Sequence, residues 1–175
     1  MRGPRFIYEF LKRPSEVGTV AGSSKFLARA MAKEIKDSLH VVEFGAGTGS
    51  VTTQILRHLP ENGRLTCFEI NPRFCKSLRK INDPRLTVIN NDAKDCEKYV
   101  DSLDCVVSGL PLAVFDKSSR RKILGISSKS KRFIQFQYSP LLSKTIKSYF
   151  SEVKVKFVPL NFPPAFVYVC STPDR

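Results

Sequence analysis

From His40 onward, the chain alternates between two patterns of apolar residues. Short runs dominated by apolar residues are typical of buried strands, and the segments between them repeat apolar residues at helical spacing. The runs predicted as strands are HVVEF, RLTCFEI, LTVIN, DCVVSGLPL, RFIQFQY and the two halves of VKVKFVPLNFPPAFVYVCS. The segments predicted as helices are SVTTQILRHL, NPRFCKSLRKI, CEKYVDSL, SSRRKILGISSK and PLLSKTIKSYF.

This alternation predicts an α/β fold with a mostly parallel sheet and helices on both faces. The last two strands are separated only by an NFPP turn, which leaves no room for a crossover helix. We therefore expect them to form an antiparallel hairpin at the edge of a seven-stranded sheet. Since no repeat or linker divides the sequence, residues 1–175 are predicted to form one doubly wound domain.

Two helical segments precede the first strand. Residues Phe26–Leu39 carry apolar side chains at helical spacing. Residues 4–13 predict a short amphipathic helix, so we treat 1–22 as an N-terminal helix or lid segment. Its apolar side could lie in a membrane interface or pack on the domain as a lid, and periodicity does not choose between them.

The net charge of +13 favours binding to polyanions, either nucleic acid or an anionic membrane surface. The segment 117–132 contains seven basic residues and no acidic one. A solvated surface that aids solubility would have the same composition, so charge alone does not identify a partner. The five cysteines form no C-x-x-C pair, and with two histidines they predict reduced, buried thiols and no metal site.

In a sheet of this kind, ligands bind at the carboxyl ends of the strands. The glycine pattern after the first strand is G-x-G-x-G, which differs from the G-x-G-x-x-G of dinucleotide sites. Glu43, Glu69 and Asp92 lie at three strand ends of an otherwise basic chain. Acidic residues at these positions favour a cationic cofactor without phosphate, and S-adenosylmethionine fits that description.

The spacing also predicts how such a cofactor is held. The glycines allow the backbone to approach its methionine and ribose portions. Glu69 follows the last loop glycine at the distance where an acidic residue accepts both ribose hydroxyls. Asp92 is placed to accept a hydrogen bond from the adenine amino group.

The stretches VVEFGAGTGSVT, FEINPRF, NDA and SGLPL resemble the first four motifs of class I S-adenosylmethionine-dependent methyltransferases. The resemblance covers nearly the whole chain and implies a Rossmann-like methyltransferase domain that releases S-adenosylhomocysteine. The implied cofactor-binding residues are Glu43, Gly45, Ala46, Gly47, Gly49, Glu69, Ile70, Asp92, Ala93 and Ser108.

Two branches of this superfamily compete, the bacterial phospholipid N-methyltransferases and the rRNA adenine dimethylases. Adenine-N6 enzymes carry an amide or acid that grips the target amine and an aromatic ring that stacks on the extruded base. The matching positions Gly109–Leu112 provide neither, and lost stacking alone costs roughly 1–3 kcal/mol per base. SGLPL and the later FQYSPL instead resemble the phospholipid enzymes. The dimethylases continue into a C-terminal helical RNA-binding domain, and we expect no such domain here because the sequence ends with the predicted hairpin.

The resemblance therefore implies N-methylation of phosphatidylethanolamine towards phosphatidylcholine, by direct attack of the amine on the sulfonium methyl group. The candidate catalytic residues are Ser108, Gly109, Leu110, Pro111 and Tyr138. Tyr138 could hold the methylated ammonium by a cation–π contact or be a packed aromatic residue, and no general base is identified. The alternatives are an RNA or small-molecule N-methyltransferase and a non-catalytic S-adenosylmethionine-binding protein.

The expected partners are an anionic membrane surface and the phospholipid substrate, with RNA as the alternative. We expect a cytoplasmic protein that is peripheral at the inner membrane face, because the N-terminus lacks the features of a secretory signal and no segment is long enough to span a membrane. We also expect it to be a monomer.

Overall fold

The computed structural model describes residues 24–161 and 163–172. These residues form a seven-stranded sheet with the strand order β3-β2-β1-β4-β5-β7-β6. The strands are β1 His40–Phe44, β2 Arg64–Phe68, β3 Leu86–Ile89, β4 Cys105–Ser108, β5 Arg132–Gln137, β6 Glu152–Val158 and β7 Ala165–Ser171. The α-helices are α1 Lys25–Ala32, α2 Ser50–His58, α3 Pro72–Leu78, α4 Lys117–Ser127 and α5 Ser143–Lys147. Short 3₁₀ helices cover Lys33–Ile35, Ala93–Lys98 and Pro140–Leu142.

Strands β1 to β5 pair in parallel, and their carboxyl ends therefore meet at one edge of the sheet. Strand β7 pairs antiparallel with both β5 and β6, which confirms the predicted hairpin at the end of the chain. The predicted α/β class and the mostly parallel sheet of seven strands are confirmed as well.

Two predicted helices differ from the observed ones. The helix predicted over 26–39 changes to a 3₁₀ turn after Ala32 and ends at Lys36, whose φ of 50° turns the chain away from the helix axis. The helix predicted over CEKYVDSL is a 3₁₀ helix that begins at Ala93. It begins early because the Asp92 carboxylate accepts a hydrogen bond from the Lys94 backbone N–H and caps the turn.

The core lies in two layers, one on each face of the sheet. Successive strand residues point to opposite faces, so Val41 and Val42 of β1 belong to different layers. The first layer packs the sheet against α1, α2 and the C-terminal end of α3, and the second packs it against α4 and α5. Because both faces are covered, the sheet is doubly wound, as the alternation of the sequence predicts.

The cysteines behave as the sequence predicts. All five are free thiols with buried side chains: Cys67, Cys75, Cys96, Cys105 and Cys170. Burial raises the pKa of the Cys96, Cys105 and Cys170 thiols to about 12, which keeps them protonated and unreactive at neutral pH.

The N-terminal segment 1–22, predicted as an amphipathic helix or lid, lies outside the described residues. Among the residues that are described, no helix combines the length and the apolar character needed to cross a bilayer.

Candidate active site

A cavity of about 610 Å³ lies at the carboxyl ends of β1, β2, β3 and β4. It brings together most of the predicted site residues, because parallel strands end at the same edge of the sheet. The predicted residues that line it are Gly45, Glu69, Ile70, Asp92, Ala93, Gly109, Leu110 and Pro111. We refer to this cavity as the cleft.

The glycine loop after β1 forms one wall of the cleft. The Gly45 N–H donates a hydrogen bond to the Phe68 carbonyl at 2.8 Å, which continues the pairing of β1 with β2 beyond the strand. Gly45, Gly47 and Gly49 have φ values of 71°, 55° and 85°, in the region that side chains other than glycine rarely adopt. The loop therefore turns sharply into α2, and Gly45 is the part of it that lines the cleft.

Glu69 lies beneath this loop at the end of β2, with only 8% of its surface exposed. One carboxylate oxygen accepts a hydrogen bond from the Gly47 N–H at 2.8 Å, and the other accepts one from the Asn71 N–H at 2.7 Å. Each carboxylate oxygen has a second lone pair. Glu69 can therefore hold the loop in place and still accept hydrogen bonds from ligand hydroxyls in the cleft.

Two further residues complete the wall after β2 and β3. The Asp92 carboxylate contacts the Lys94 ammonium at 3.2 Å and remains partly exposed. Ile70 is 71% exposed although it is a large apolar residue, and it lies in the cleft beside Glu69. An apolar surface flanked by carboxylates fits a purine nucleoside, since the ring packs on Ile70 while hydroxyl and amino groups find acceptors.

The cleft is acidic within a chain of net charge +13. Among the described residues, its lining includes the acidic Glu69, Asp92 and Asp116 and one basic residue, Lys94, which is paired with Asp92. A cationic ligand is therefore attracted to this part of an otherwise basic surface.

Several predicted residues lie close to the cleft without lining it. Glu43 is 2% exposed and accepts hydrogen bonds from the Thr52 hydroxyl at 2.7 Å and the Cys67 thiol at 3.1 Å. Burial raises the pKa of Glu43 to about 7. The structure therefore places Glu43 behind the glycine loop, where it joins β1, α2 and β2, instead of in the cleft.

Ala46, Gly47, Gly49 and Ser108 are likewise absent from the lining. Ala46 packs in the core layer of α1 and α2, and Gly47 contributes its backbone N–H to Glu69. The Ser108 side chain is fully buried, and its hydroxyl accepts a hydrogen bond from the Leu110 N–H at 3.3 Å. These residues shape the loops around the cleft.

The loop after β4 touches the glycine loop backbone to backbone. The Gly109 N–H donates to the Phe44 carbonyl at 2.8 Å, and a Cβ atom on Gly109 would lie 2.9 Å from the Gly45 carbonyl oxygen. The fully buried Gln135 of β5 donates its amide N–H to the Leu110 carbonyl at 3.0 Å. Gln135 was not predicted, and the signal for it is a glutamine inside the apolar run RFIQFQY.

Tyr138 lies beside a second, smaller cavity of about 30 Å³ instead of in the cleft. Its ring meets Phe136 edge-on at 5.3 Å, and burial raises the pKa of its phenol. Pro111 and Val114 line both cavities, so the two adjoin each other.

Sequence reasoning missed the rest of the lining. These residues are Phe68, Asn91, Lys94, Val114, Phe115, Asp116 and Ser119. Most of them lie within a few residues of the predicted positions after β3 and β4. A short distance along the sequence from the end of a strand was therefore the signal that could have identified them.

Comparison with known proteins identifies the family. Residues 41–128 match the family described as "Methyltransferase domain". The chain is 30% identical over 179 residues to an ornithine lipid N-methyltransferase of Singulisphaera acidiphila, covering 94% of this chain and 93% of the relative.

Solved methyltransferases share the fold. A precorrin-6y C5,15-methyltransferase from Geobacter metallireducens superimposes with a TM-score of 0.68 at 16% identity, over 83% of this chain and 88% of that one. A Burkholderia thailandensis 1,6-didemethyltoxoflavin-N1-methyltransferase, solved with S-adenosylhomocysteine, gives 0.67 at 14% identity, over 97% and 86%. The sequence matches agree with the fold, and the chain belongs to the class I methyltransferases, whose cofactor is S-adenosylmethionine.

Proposed function

We propose that the protein methylates the primary amine of a membrane aminolipid, with phosphatidylethanolamine as the substrate. The observation that carries the proposal is the loop after β4. It lines the cleft with the apolar side chains of Leu110 and Pro111, and Leu112, at the position where an adenine-N6 enzyme stacks its base, is fully buried in the core. The positions Gly109–Leu112 suit a small aliphatic amine, because they give a flipped base neither the amide or acid nor the aromatic ring that an adenine-N6 enzyme places there.

The relative that matches along nearly its whole length supports a lipid amine, since it is an ornithine lipid N-methyltransferase. Phosphatidylethanolamine and ornithine lipid both present a primary amine at the headgroup level of a bilayer. The two headgroups share the chemistry that the loop can recognise, so the experiment below compares them directly.

The cofactor supplies an electrophilic methyl group on a sulfonium. Glu69 and Asp92 would hold its nucleoside by accepting hydrogen bonds, and Ile70 would pack on the ring. On the substrate side, the acidic side chain of Asp116 attracts the ammonium headgroup to the cleft. The Leu110 carbonyl accepts hydrogen bonds from the Gln135 amide and from the Leu112 N–H, and these two bonds hold the loop after β4 in place beside the substrate.

The amine must be neutral before it attacks. Leu110, Pro111, Val114 and Phe115 line this side of the cleft, and an apolar surrounding lowers the pKa of an amine because it disfavours the charged form. Burial raises the pKa of Tyr138, so its phenol stays protonated at neutral pH and does not act as the base. The proton therefore leaves to water, and catalysis rests on placement and desolvation.

The test is incubation of the protein with methyl-labelled S-adenosylmethionine and one acceptor at a time. The acceptors are vesicles that contain phosphatidylethanolamine, vesicles that contain ornithine lipid, phosphatidylcholine vesicles and RNA. We expect label in phosphatidylethanolamine and none in phosphatidylcholine, whose nitrogen is already quaternary. Label in ornithine lipid alone would reassign the headgroup, and label in RNA alone would refute the proposal. Cofactor binding without any transfer would favour a non-catalytic role.

A further inference from the structure

Three large apolar side chains are exposed at one corner of the sheet. Leu141, Phe157 and Leu160 are exposed by 76%, 58% and 67%. Phe166 of β7 pairs with Gln137 of β5 on one side and with Phe157 of β6 on the other, so the ends of β5 and β6 lie level. Leu141 follows β5, and Leu160 follows β6. We call these three residues the apolar corner.

The apolar corner lies on the same edge of the sheet as the cleft, because β5 runs parallel to β4 and β6 runs parallel to β5. The small cavity beside Tyr138 lies between them. It shares Pro111 and Val114 with the cleft, and its other wall reaches Ser139, two residues before Leu141. An apolar surface therefore leads from the mouth of the cleft towards the apolar corner.

The chain around the apolar corner is basic. Between residues 138 and 171 there are four lysines and a single acidic residue, Glu152, which lies at the opposite end of β6. One of these lysines, Lys156, forms an ion pair with Glu34. Lys144 and Lys147 of α5 are exposed and follow Leu141 by three and six residues. Exposed apolar side chains bordered by lysines complement a bilayer that contains anionic lipids, since the apolar groups enter the acyl boundary and the ammonium groups remain with the headgroups.

We propose that the apolar corner is the membrane-docking surface of this protein and that it seats the mouth of the cleft against an anionic bilayer. The proposal rests on the proposed lipid substrate, and it explains how a headgroup amine reaches the cleft without leaving the bilayer. Leu141 and Leu160 enter the interface, Lys144 and Lys147 contact the headgroups, and the lipid moves along the surface formed by Pro111 and Val114.

The chain contains no tryptophan, so a single introduced tryptophan reports on its own surroundings. The variants are Leu141→Trp and Leu160→Trp, with Leu39→Trp as the matched control. Leu39 is 39% exposed and precedes β1, at the opposite edge of the sheet. Each full-length variant is mixed with vesicles of phosphatidylcholine and phosphatidylglycerol, with and without brominated acyl chains. Titration with S-adenosylmethionine checks that each variant is folded.

We expect the emission of the tryptophans at 141 and 160 to shift to shorter wavelength and to be quenched by the brominated chains, while that at 39 does neither. Leu141→Ser combined with Leu160→Ser should weaken the apparent vesicle affinity about tenfold or more, because two leucine side chains no longer enter the interface. Leu39→Ser should leave the affinity unchanged.

Equal quenching at positions 141, 160 and 39, quenching at none of them, or a failure to bind vesicles would each overturn the proposal. A blue shift that depends on protein concentration without vesicles would also overturn it, because it would assign the apolar corner to a second copy of the chain. The vesicles contain no aminolipid, so docking is measured independently of methyl transfer. Docking without transfer would therefore refute the proposed function alone.

Discussion

The buried carboxyl of Glu43 gives the sharpest prediction for stability. It lies behind the glycine loop with Thr52 and Cys67 as its hydrogen-bond donors. Its pKa is raised from 4.5 to about 7, chiefly because burial disfavours the charged form. The perturbation is Glu43→Gln, which keeps the shape and an acceptor oxygen for Thr52 but removes the titration.

The direction in which stability changes with pH follows from proton binding. Between pH 4.5 and about 7 the folded protein keeps this proton while the unfolded chain has lost it, so the free energy of unfolding falls as pH rises through that window. One pKa unit corresponds to about 1.4 kcal/mol, so the complete shift from 4.5 to about 7 amounts to about 3 kcal/mol. The cost is absent below the unfolded pKa and fully present above the folded one.

The assay is urea unfolding of the parent and of Glu43→Gln at about pH 5 and about pH 8. Other titrating groups contribute equally to both proteins, so the difference between their pH dependences isolates Glu43. We expect the variant to gain about 2.5 kcal/mol relative to the parent between the two pH values, because a small part of the cost is already present at about pH 5. Glu61→Gln, an exposed residue, removes the same charge and should leave the parental pH dependence unchanged. Parallel profiles for the parent and Glu43→Gln would show that Glu43 is ionised in the folded protein and refute the reasoning.

Three further substitutions test the site and its support. Gly109→Ala should lower stability by about 1–3 kcal/mol in thermal unfolding, because the new Cβ meets the Gly45 carbonyl oxygen at 2.9 Å. The control is Gly125→Ala, whose Cβ would enter open space and should not lower stability. Equal effects of the two substitutions would contradict the close approach of the two loops. Glu69→Gln loses one of the two carboxylate oxygens that accept from the Gly47 and Asn71 N–H groups and that, in the proposed function, also accept from the cofactor. Calorimetry should therefore show binding of S-adenosylmethionine weakened by about tenfold or more, and an unchanged affinity would refute the proposed role of Glu69. Arg85→Ala removes the guanidinium that donates to the carbonyls of Leu56 and Leu59, so the free energy of unfolding should fall by about 1–3 kcal/mol. The affinity for the cofactor should stay the same. A loss of affinity would instead show that these hydrogen bonds support the cleft.

The main features of the cleft were predictable because they depend on strand direction alone. Once the strands are recognised as parallel, Gly45, Glu69, Asp92 and Gly109 must meet at one edge of the sheet. The antiparallel pairing of β6 with β7 followed from the short connection between them, whereas the order of the strands in the sheet was not predicted.

Side-chain direction was harder to predict, and Glu43 shows why. Glu43 is two residues after Val41 on β1, so both side chains point to the same face of the sheet, the one covered by α1 and α2. There the Glu43 carboxyl accepts hydrogen bonds from Thr52 and Cys67. Its position next to the glycine loop suggested that Glu43 binds the cofactor. Only the alternation of side chains along β1 distinguishes a residue in the cleft from one buried behind the loop. Tyr138 differs in another way, because its placement beside the small cavity depends on the packing of Phe136, which is a contact between side chains.

The five buried thiols can be used to measure local unfolding of the chain. They lie in β2, α3, β4, β7 and the 3₁₀ helix after β3, so each belongs to a different part of the fold. A thiol-specific reagent in native buffer can react only when the segment around a cysteine opens, and its rate then measures the free energy of that opening. Mass spectrometry of the modified peptides would rank the segments by local stability. Because all five thiols are native, that ranking needs no engineered label.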